Sequence, residues 1–393
     1  MAALPDGTRH VLPPDASARH ELVERLRRLY RAWGYQGIEV PALERYDQNH
    51  PRNDQSFKLS DRDSGVLALR SDFTPALAQL VRGHYPQAAA GRRALRLQYC
   101  GTVWHAIDPD VARTREFTQV GLELVGVSNA RADAELIHLA RESVREVGLV
   151  PRVELGNPGF VRALFDLAEV PAAARGPLAD AIDRKDLRTL QSLVERLALR
   201  PAVREALLAV PDLYGQLGVL DEARRVTPWD ATLRELDRLE AIVSEFEDAS
   251  ELLLDLGMAR RLAYYTGVTF RAYTFDFGQP LLGGGRYDGA LLPAAAGFTI
   301  GIERLAAALP APTPAPSPPV LALDDVGARR LRAAGVAVVR SLSSDLETAR
   351  DEAREQGARY LLGERLEPLV ADATDDGSDE GALRRLLEGD RGE

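Results

Sequence analysis

Cysteine is nearly absent: Cys100 stands alone in a chain of 393 residues. A single cysteine excludes an internal disulfide framework and any multi-cysteine zinc site, as expected of a reducing compartment. It reads as a buried small apolar residue. Histidine is scarce too. The six residues His10, His20, His50, His84, His105 and His138 are scattered, and no two have the i, i+4 spacing with which imidazoles share a metal on a helix. No metal site and no cofactor is expected. Lysine is reduced to Lys58 and Lys185 among 49 basic residues, a bias that reads as genome composition. No run approaches the roughly 18 apolar residues of a membrane span. The first ten residues show no basic flank followed by an apolar stretch. The expectation is a cytoplasmic protein without a membrane partner.

Aromatic residues make up only 6%, beside 45% hydrophobic and 27% charged residues. That balance belongs to soluble globular proteins, and at about 150 residues per domain the length allows two or three domains. The formal charge is 49 − 59 = −10, which repels a phosphate backbone unless a basic stripe overrides it. The arginines are scattered and form no such stripe.

An apolar stripe at Leu22, Leu26, Leu29 and Trp33 predicts a helix of about 18 residues, begun by Asp15 as a cap and stopped at Gly34. Strands are predicted at 35–40, 95–99, 116–125, 268–275 and 298–300, with Pro41 halting the first. Turn residues rather than regularly alternating helices separate them, so the class is α+β with an antiparallel sheet. From 158 to 247 the pattern becomes helical, as in Leu187, Leu190, Leu193, Val194 and Leu197, and reads as a helical insertion. The expected organisation is a core in two parts, 1–157 and 248–309, around that insertion. A Pro-rich linker at 310–319 and a small α/β tail at 320–393 follow. The tail carries 17 acidic and 11 basic residues, a net −6.

Single motifs are weak. In the acidic run 372–380, Asp372, Asp376 and Gly377 match calcium-loop positions, but Thr374 and Leu383 stand where two further ligands belong, so it reads as a solvated loop. The Gly-rich segment 283–289 lacks the spacing of a phosphate or dinucleotide loop and reads by itself as a tight turn. Tyr264-Tyr265-Thr266-Gly267 reads as a strand entering a core. No Gly-x-Ser-x-Gly elbow offers a hydrolase nucleophile.

Taken in order, however, Pro5-Asp-Gly-Thr-Arg9 with Glu39-Val-Pro41, Leu69 to Pro75, Arg115 to Glu123, Arg260 to Gly267, Gly283 to Gly289 and Gly297 to Arg304 resemble the successive motifs of histidyl-tRNA synthetase. The resemblance spans roughly residues 4 to 310. It implies a class II synthetase core, an antiparallel sheet flanked by helices and dimeric through the first motif. Two families share that core: the synthetase and its paralogue, the regulatory subunits of ATP phosphoribosyltransferase. Adenylation needs a cation on the α-phosphate, and the synthetase supplies it within Phe-Arg-x-Glu. Here the stretch is Trp104-His105-Ala106-Ile107: an imidazole replaces the guanidinium and an aliphatic chain the carboxylate. Further departures are Phe73 for Gly, Arg261 for Gly and Ala263 for Asp. Arg260 and Arg304 stand where the synthetase keeps arginines. A −6 tail does not suit anticodon binding, so no tRNA partner is expected.

The resemblance therefore favours the regulatory subunits: no catalysis, assembly with the short form of the catalytic subunit, and feedback inhibition by L-histidine. It implies contacts from Glu123 and Gln119 to the imidazole or amino group, Thr74 and Asp72 near the ammonium, Tyr264 and Tyr265 walling the ring, Tyr287 closing the pocket and Arg260 meeting the carboxylate. The alternatives are a relic pocket whose polar groups satisfy one another, a synthetase in which His105 replaces the arginine, or a free-standing histidine-binding protein.

Overall fold

A computed structural model describes residues 4–48, 53–62, 65–108, 114–259, 264–311, 320–363 and 366–369. Contacts divide the chain into two units, 1–312 and 313–393.

The first unit opens with helix α1 (Asp15–Ala32), strands β1 (Gln36–Gly37), β2 (Leu43–Arg45), β3 (Lys58–Asp61) and β4 (Gly65–Leu69), and helices α2 (Thr74–His84) and α3 (Pro86–Ala89). The long strands β5 (Leu95–Trp104) and β6 (Glu116–Val125), helix α4 (Ala130–Glu146) and strand β7 (Arg152–Gly156) follow. Helices α5 (Pro158–Leu167), α6 (Ala172–Asp183), α7 (Leu187–Glu195) and α8 (Pro201–Ala209), the short β8 (Tyr214–Gly215), and helices α9 (Val219–Val226) and α10 (Asp230–Val243) come next. Strands β9 (Leu252–Asp255), β10 (Thr269–Thr274), β11 (Phe277–Arg286) and β12 (Ala295–Gly301) and helix α11 (Ile302–Ala307) close the unit.

Nine strands form one sheet in the order β1-β5-β6-β12-β11-β10-β7-β9-β8. Its centre is antiparallel as expected; the parallel pairs β1–β5 and β7–β9 lie towards its margins. A smaller sheet, β2-β4-β3, is antiparallel throughout. Because side chains alternate along a strand, β6 sends Val120, Leu122 and Leu124 into the core beneath α1 and α4 and leaves Gln119, Gly121 and Glu123 on the opposite face. Helices α5 to α10 contribute Phe160, Leu178, Leu190, Leu207 and Leu236 to that same core.

Several local expectations change. Asp15 is the first helical residue and not the cap; Pro14 precedes it with no side-chain capping bond. Leu22, Leu26 and Tyr30 form the buried stripe, whereas Trp33 lies beyond the last turn and is exposed, because Gly34 at φ +83° turns the chain away. The 35–40 strand shrinks to Gln36–Gly37, since the carbonyls of Val40 and Pro41 accept from the Arg70 guanidinium at 2.8 and 3.2 Å and not from a neighbouring strand. Gly283 to Arg286 is no turn but the end of β11, paired on both sides. Tyr264 to Gly267 is irregular chain ahead of β10. Cys100 on β5 is half-buried, its thiol pushed up by burial.

The second unit has strands β13 (Val320–Ala322), β14 (Val338–Arg340), β15 (Tyr360–Leu362) and β16 (Leu366–Pro368), with helices α12 (Asp325–Ala333) and α13 (Leu346–Glu355). Strand β13 runs parallel to β14 and β15, and β16 is antiparallel at the edge. Helix α12 packs Ala328 and Leu331 on the sheet, and α13 packs Ala349 and Ala353. Most of the Pro-rich stretch and the acidic run 372–380 lie outside the described residues.

Candidate functional site

The face of the sheet opposite α1 and α4 is paved with glycine. Across neighbouring strands Tyr99 pairs with Gly121, Gly101 with Gln119, Glu123 with Gly297, and Gly297 with Gly285. Residues in direct register share a face, so these glycines open a shallow floor from which Tyr99, Gln119 and Glu123 rise. A Cβ on Gly121 would lie 2.5 Å from the Tyr99 phenol, and one on Gly297 would collide with the Glu123 carboxylate. Glycine is required at both positions so that these side chains can lie across the floor.

Glu123 is the centre. It is 2% exposed, the Tyr287 hydroxyl donates to its Oε2 at 2.6 Å, and the Thr74 hydroxyl lies 3.3 Å from its Oε1. That hydroxyl lies equally close, 3.3 Å, to Asp72 Oδ1, which also accepts the Thr74 backbone N–H at 3.1 Å in the first turn of α2. Burial pushes the Glu123 carboxyl up to about 8, with Asp72 adding like-charge repulsion against the lowering effect of its two hydroxyl partners. Aromatic rings wall the site: Tyr264 stacks on Tyr287 at 5.5 Å between centroids and 19° between planes, and Tyr265 meets Tyr264 edge-on at 5.0 Å. Tyr287, Tyr99 and Phe73 share an apolar cluster with Leu77 and Val81 of α2, and Tyr264 and Tyr265 pack against it.

The structure thus brings together Asp72, Thr74, Glu123, Tyr264, Tyr265 and Tyr287, and places Gln119 two residues from Gly121 on the same strand face. Arg260, Arg261 and Ala263 lie outside the described residues. Of the positions expected to depart from the synthetase pattern, the three described ones, Phe73, His105 and Ile107, make structural contacts. Phe73, 1% exposed, stacks on Tyr99 at 4.3 Å and 14°, with the Arg70 guanidinium 3.9 Å from its ring centre. His105 is buried, edge-on to Phe117 at 5.0 Å, and its Nε2 faces the Ser71 carbonyl at 3.0 Å. A ring nitrogen bonded to a carbonyl carries the proton, so this nitrogen is a donor committed to the 70–74 loop. Ile107 contributes its backbone carbonyl to Arg115 at 2.8 Å. Arg304 is exposed and donates to the Pro280 carbonyl at 2.9 Å.

Sequence reading missed three supports. Arg70 ties the chain after β1 to β5 through the carbonyls of Val40, Pro41 and Thr102. Arg286, 3% exposed, pairs with Asp133 of α4 at 2.7 Å and with Asp288 at 2.8 Å, on either side of the turn that presents Tyr287. Tyr99 is the third. Its signal was in the sequence: Gly101, Gly121, Gly285 and Gly297 fall on strands at a spacing that leaves one sheet face bare. Among the described residues no group of three or more His, Cys, Asp or Glu side chains could hold a metal. A cavity of about 490 Å³ lies against Gln36, His84, Tyr85, Arg93 and Arg96 and contains none of the candidate residues.

This glycine-floored sheet, with its carboxylates and tyrosines, is that of a class II synthetase-like protein. Residues 7–305 match the histidyl-tRNA synthetase family. A structure of an ATP phosphoribosyltransferase regulatory subunit/histidyl-tRNA synthetase from Bacillus halodurans superimposes with a TM-score of 0.79 at 27% identity, over 92% of this chain and 98% of that one. The ATP phosphoribosyltransferase regulatory subunit of Thermus thermophilus is 45% identical over 328 residues, 83% of this chain and 89% of its own. That of Deinococcus radiodurans is 43% identical over 363 residues, 91% and 88% of the two chains. The chain belongs to the family of ATP phosphoribosyltransferase regulatory subunits, within the histidyl-tRNA synthetase fold. Among the described residues no helix is long and apolar enough to cross a membrane.

Proposed function

We propose that this chain assembles in the cytoplasm with the short-form catalytic subunit of ATP phosphoribosyltransferase and that free L-histidine, held around Glu123, is the effector that turns the complex down. Membership of the family makes the chain a non-catalytic regulatory subunit serving histidine biosynthesis. Its partner condenses ATP with phosphoribosyl pyrophosphate.

One observation carries the effector reading. Thr74 and Tyr287 converge on the buried Glu123 carboxyl in the half of the pocket that would take the amino acid, while at the position that would hold the α-phosphate stands His105, with its Nε2 committed to Ser71. Carboxylates backed by tyrosine faces suit a cationic ligand, through charge-assisted hydrogen bonds and cation–π attraction. Histidine offers an ammonium and a ring with two nitrogens. The proposed contacts are Glu123 and Gln119 to the imidazole or amino group, Asp72 and Thr74 near the ammonium, Tyr264, Tyr265 and Tyr287 around the ring, and Arg260 at the carboxylate. Regulation follows if the ligand prefers one state of the assembly, since differential affinity is what moves an equilibrium. A tRNA plays no part: the 320–393 tail is net −6 and repels a polyanion. We further propose self-association through the first synthetase-like motif, and the 158–247 segment as a helical insertion in the core.

The test is phosphoribosyl-ATP formation by the catalytic subunit, alone and mixed with this chain, across a histidine titration. Activity that depends on mixing and falls as histidine rises is the expected result. Activity indifferent to this chain, together with histidine-dependent ATP–pyrophosphate exchange by the chain itself, overturns the reading in favour of a synthetase.

A further inference from the structure

Two buried polar atoms in the pocket have no hydrogen-bond partner among the described residues: the Tyr99 hydroxyl and Gln119 Oε1. Tyr99 is 2% exposed. Its place is fixed. The ring stacks on Phe73, and its hydroxyl lies so close over Gly121 that a Cβ there would be 2.5 Å away. Gly121 stands between Gln119 and Glu123 on one face of β6, so the hydroxyl sits between those two side chains. Burial and the neighbouring Glu123 and Asp72 carboxyls push its ionisation well above the usual phenol range, which keeps its proton in place.

An unsatisfied buried hydroxyl destabilises the protein that carries it, and phenylalanine would fill the same volume without that penalty. Tyrosine at this position therefore has to be explained by something other than packing. Resting on the histidine reading above, we infer that Tyr99 is a further ligand-binding residue: its hydroxyl hydrogen-bonds the bound amino acid over Gly121, beside Gln119. The hydroxyl can donate or accept, whereas Gln119 Oε1 only accepts. The pair fits a ligand bearing at least one N–H donor and rejects a purely apolar side chain of the same size, which would leave both atoms unpaired.

The experiment titrates L-histidine calorimetrically into the full-length wild type and Tyr99→Phe, and records the thermal midpoint of each without histidine. The substitution is expected to weaken histidine binding about tenfold while leaving the ligand-free midpoint unchanged or raised. Wild-type affinity in Tyr99→Phe overturns the assignment. So does a variant whose ligand-free midpoint falls along with its affinity, because the hydroxyl would then be a structural group. Wild type with neither heat of binding nor a histidine-induced midpoint shift overturns the underlying histidine reading, an outcome distinct from both.

Discussion

The two faces of β6 obey opposite rules. Val120, Leu122 and Leu124 point one way, each fully buried in the large core. Gln119, Gly121 and Glu123 point the other way, onto a floor where glycine excludes bulk, one amide oxygen lacks a described partner and a carboxyl is held near 8. One strand thus divides its alternate residues between a packed core and a polar floor, the proposed histidine pocket. The core face gains by filling space, while the site face leaves space and polar groups unfilled, a cost the core face must offset. Arg286 and Tyr287, consecutive in sequence, join the two: Arg286 pairs with Asp133 on α4, and Tyr287 bonds Glu123.

Breaking that junction is expected to have the largest effect. Arg286→Met leaves the buried Asp133 without its cation and should cost about 3–5 kcal/mol by chemical denaturation, with histidine affinity falling as Tyr287 loses its anchor. Unchanged affinity in the folded variant would show that the two faces are independent. Leu122→Ala attacks the core face alone. It should cost about 3 kcal/mol and leave the histidine dissociation constant at its wild-type value at temperatures where the variant is folded.

Glu123→Gln attacks the site face alone. A bound cation favours the ionised form of Glu123, which glutamine cannot adopt, so histidine binding should weaken by about tenfold or more with little change in stability near pH 5. Its pH profile sharpens the comparison further. A carboxyl held near 8 in the folded chain, against about 4.3 in an unfolded one, binds more protons folded than unfolded between those values. Its contribution to stability is complete below the unfolded value and is lost as pH rises through about 8. Wild type should therefore lose thermal stability from pH 5 to 9 relative to Glu123→Gln. Parallel profiles would refute the perturbed carboxyl.

Much of this was legible beforehand. The period of α1, the 116–125 strand and the α/β alternation of the tail follow from local patterning, where hydrophobic periodicity is strong. The order of the motifs identified the family, and the replacement of an arginine by His105 argued against adenylation. Other features were hidden because they depend on pairing. Gly283 to Arg286 resembles a turn until β10 and β12 are placed on either side of it. Nothing near Val40 in sequence says that Arg70 will take its carbonyl.

The sequence by itself determined the alternation of the strands, the helical periods, the family and the presence of His105 in the stretch that resembles the second synthetase motif, because each is a property of residue type and spacing along one chain. Tertiary structure decided which glycines share a floor, that Thr74 and Tyr287 converge on Glu123 from 49 and 164 residues away, and that Tyr99 is buried there without a described partner. Those facts exist only once strand register has set distant residues face to face, and burial then fixes the protonation and the unmet hydrogen bonds of the proposed pocket.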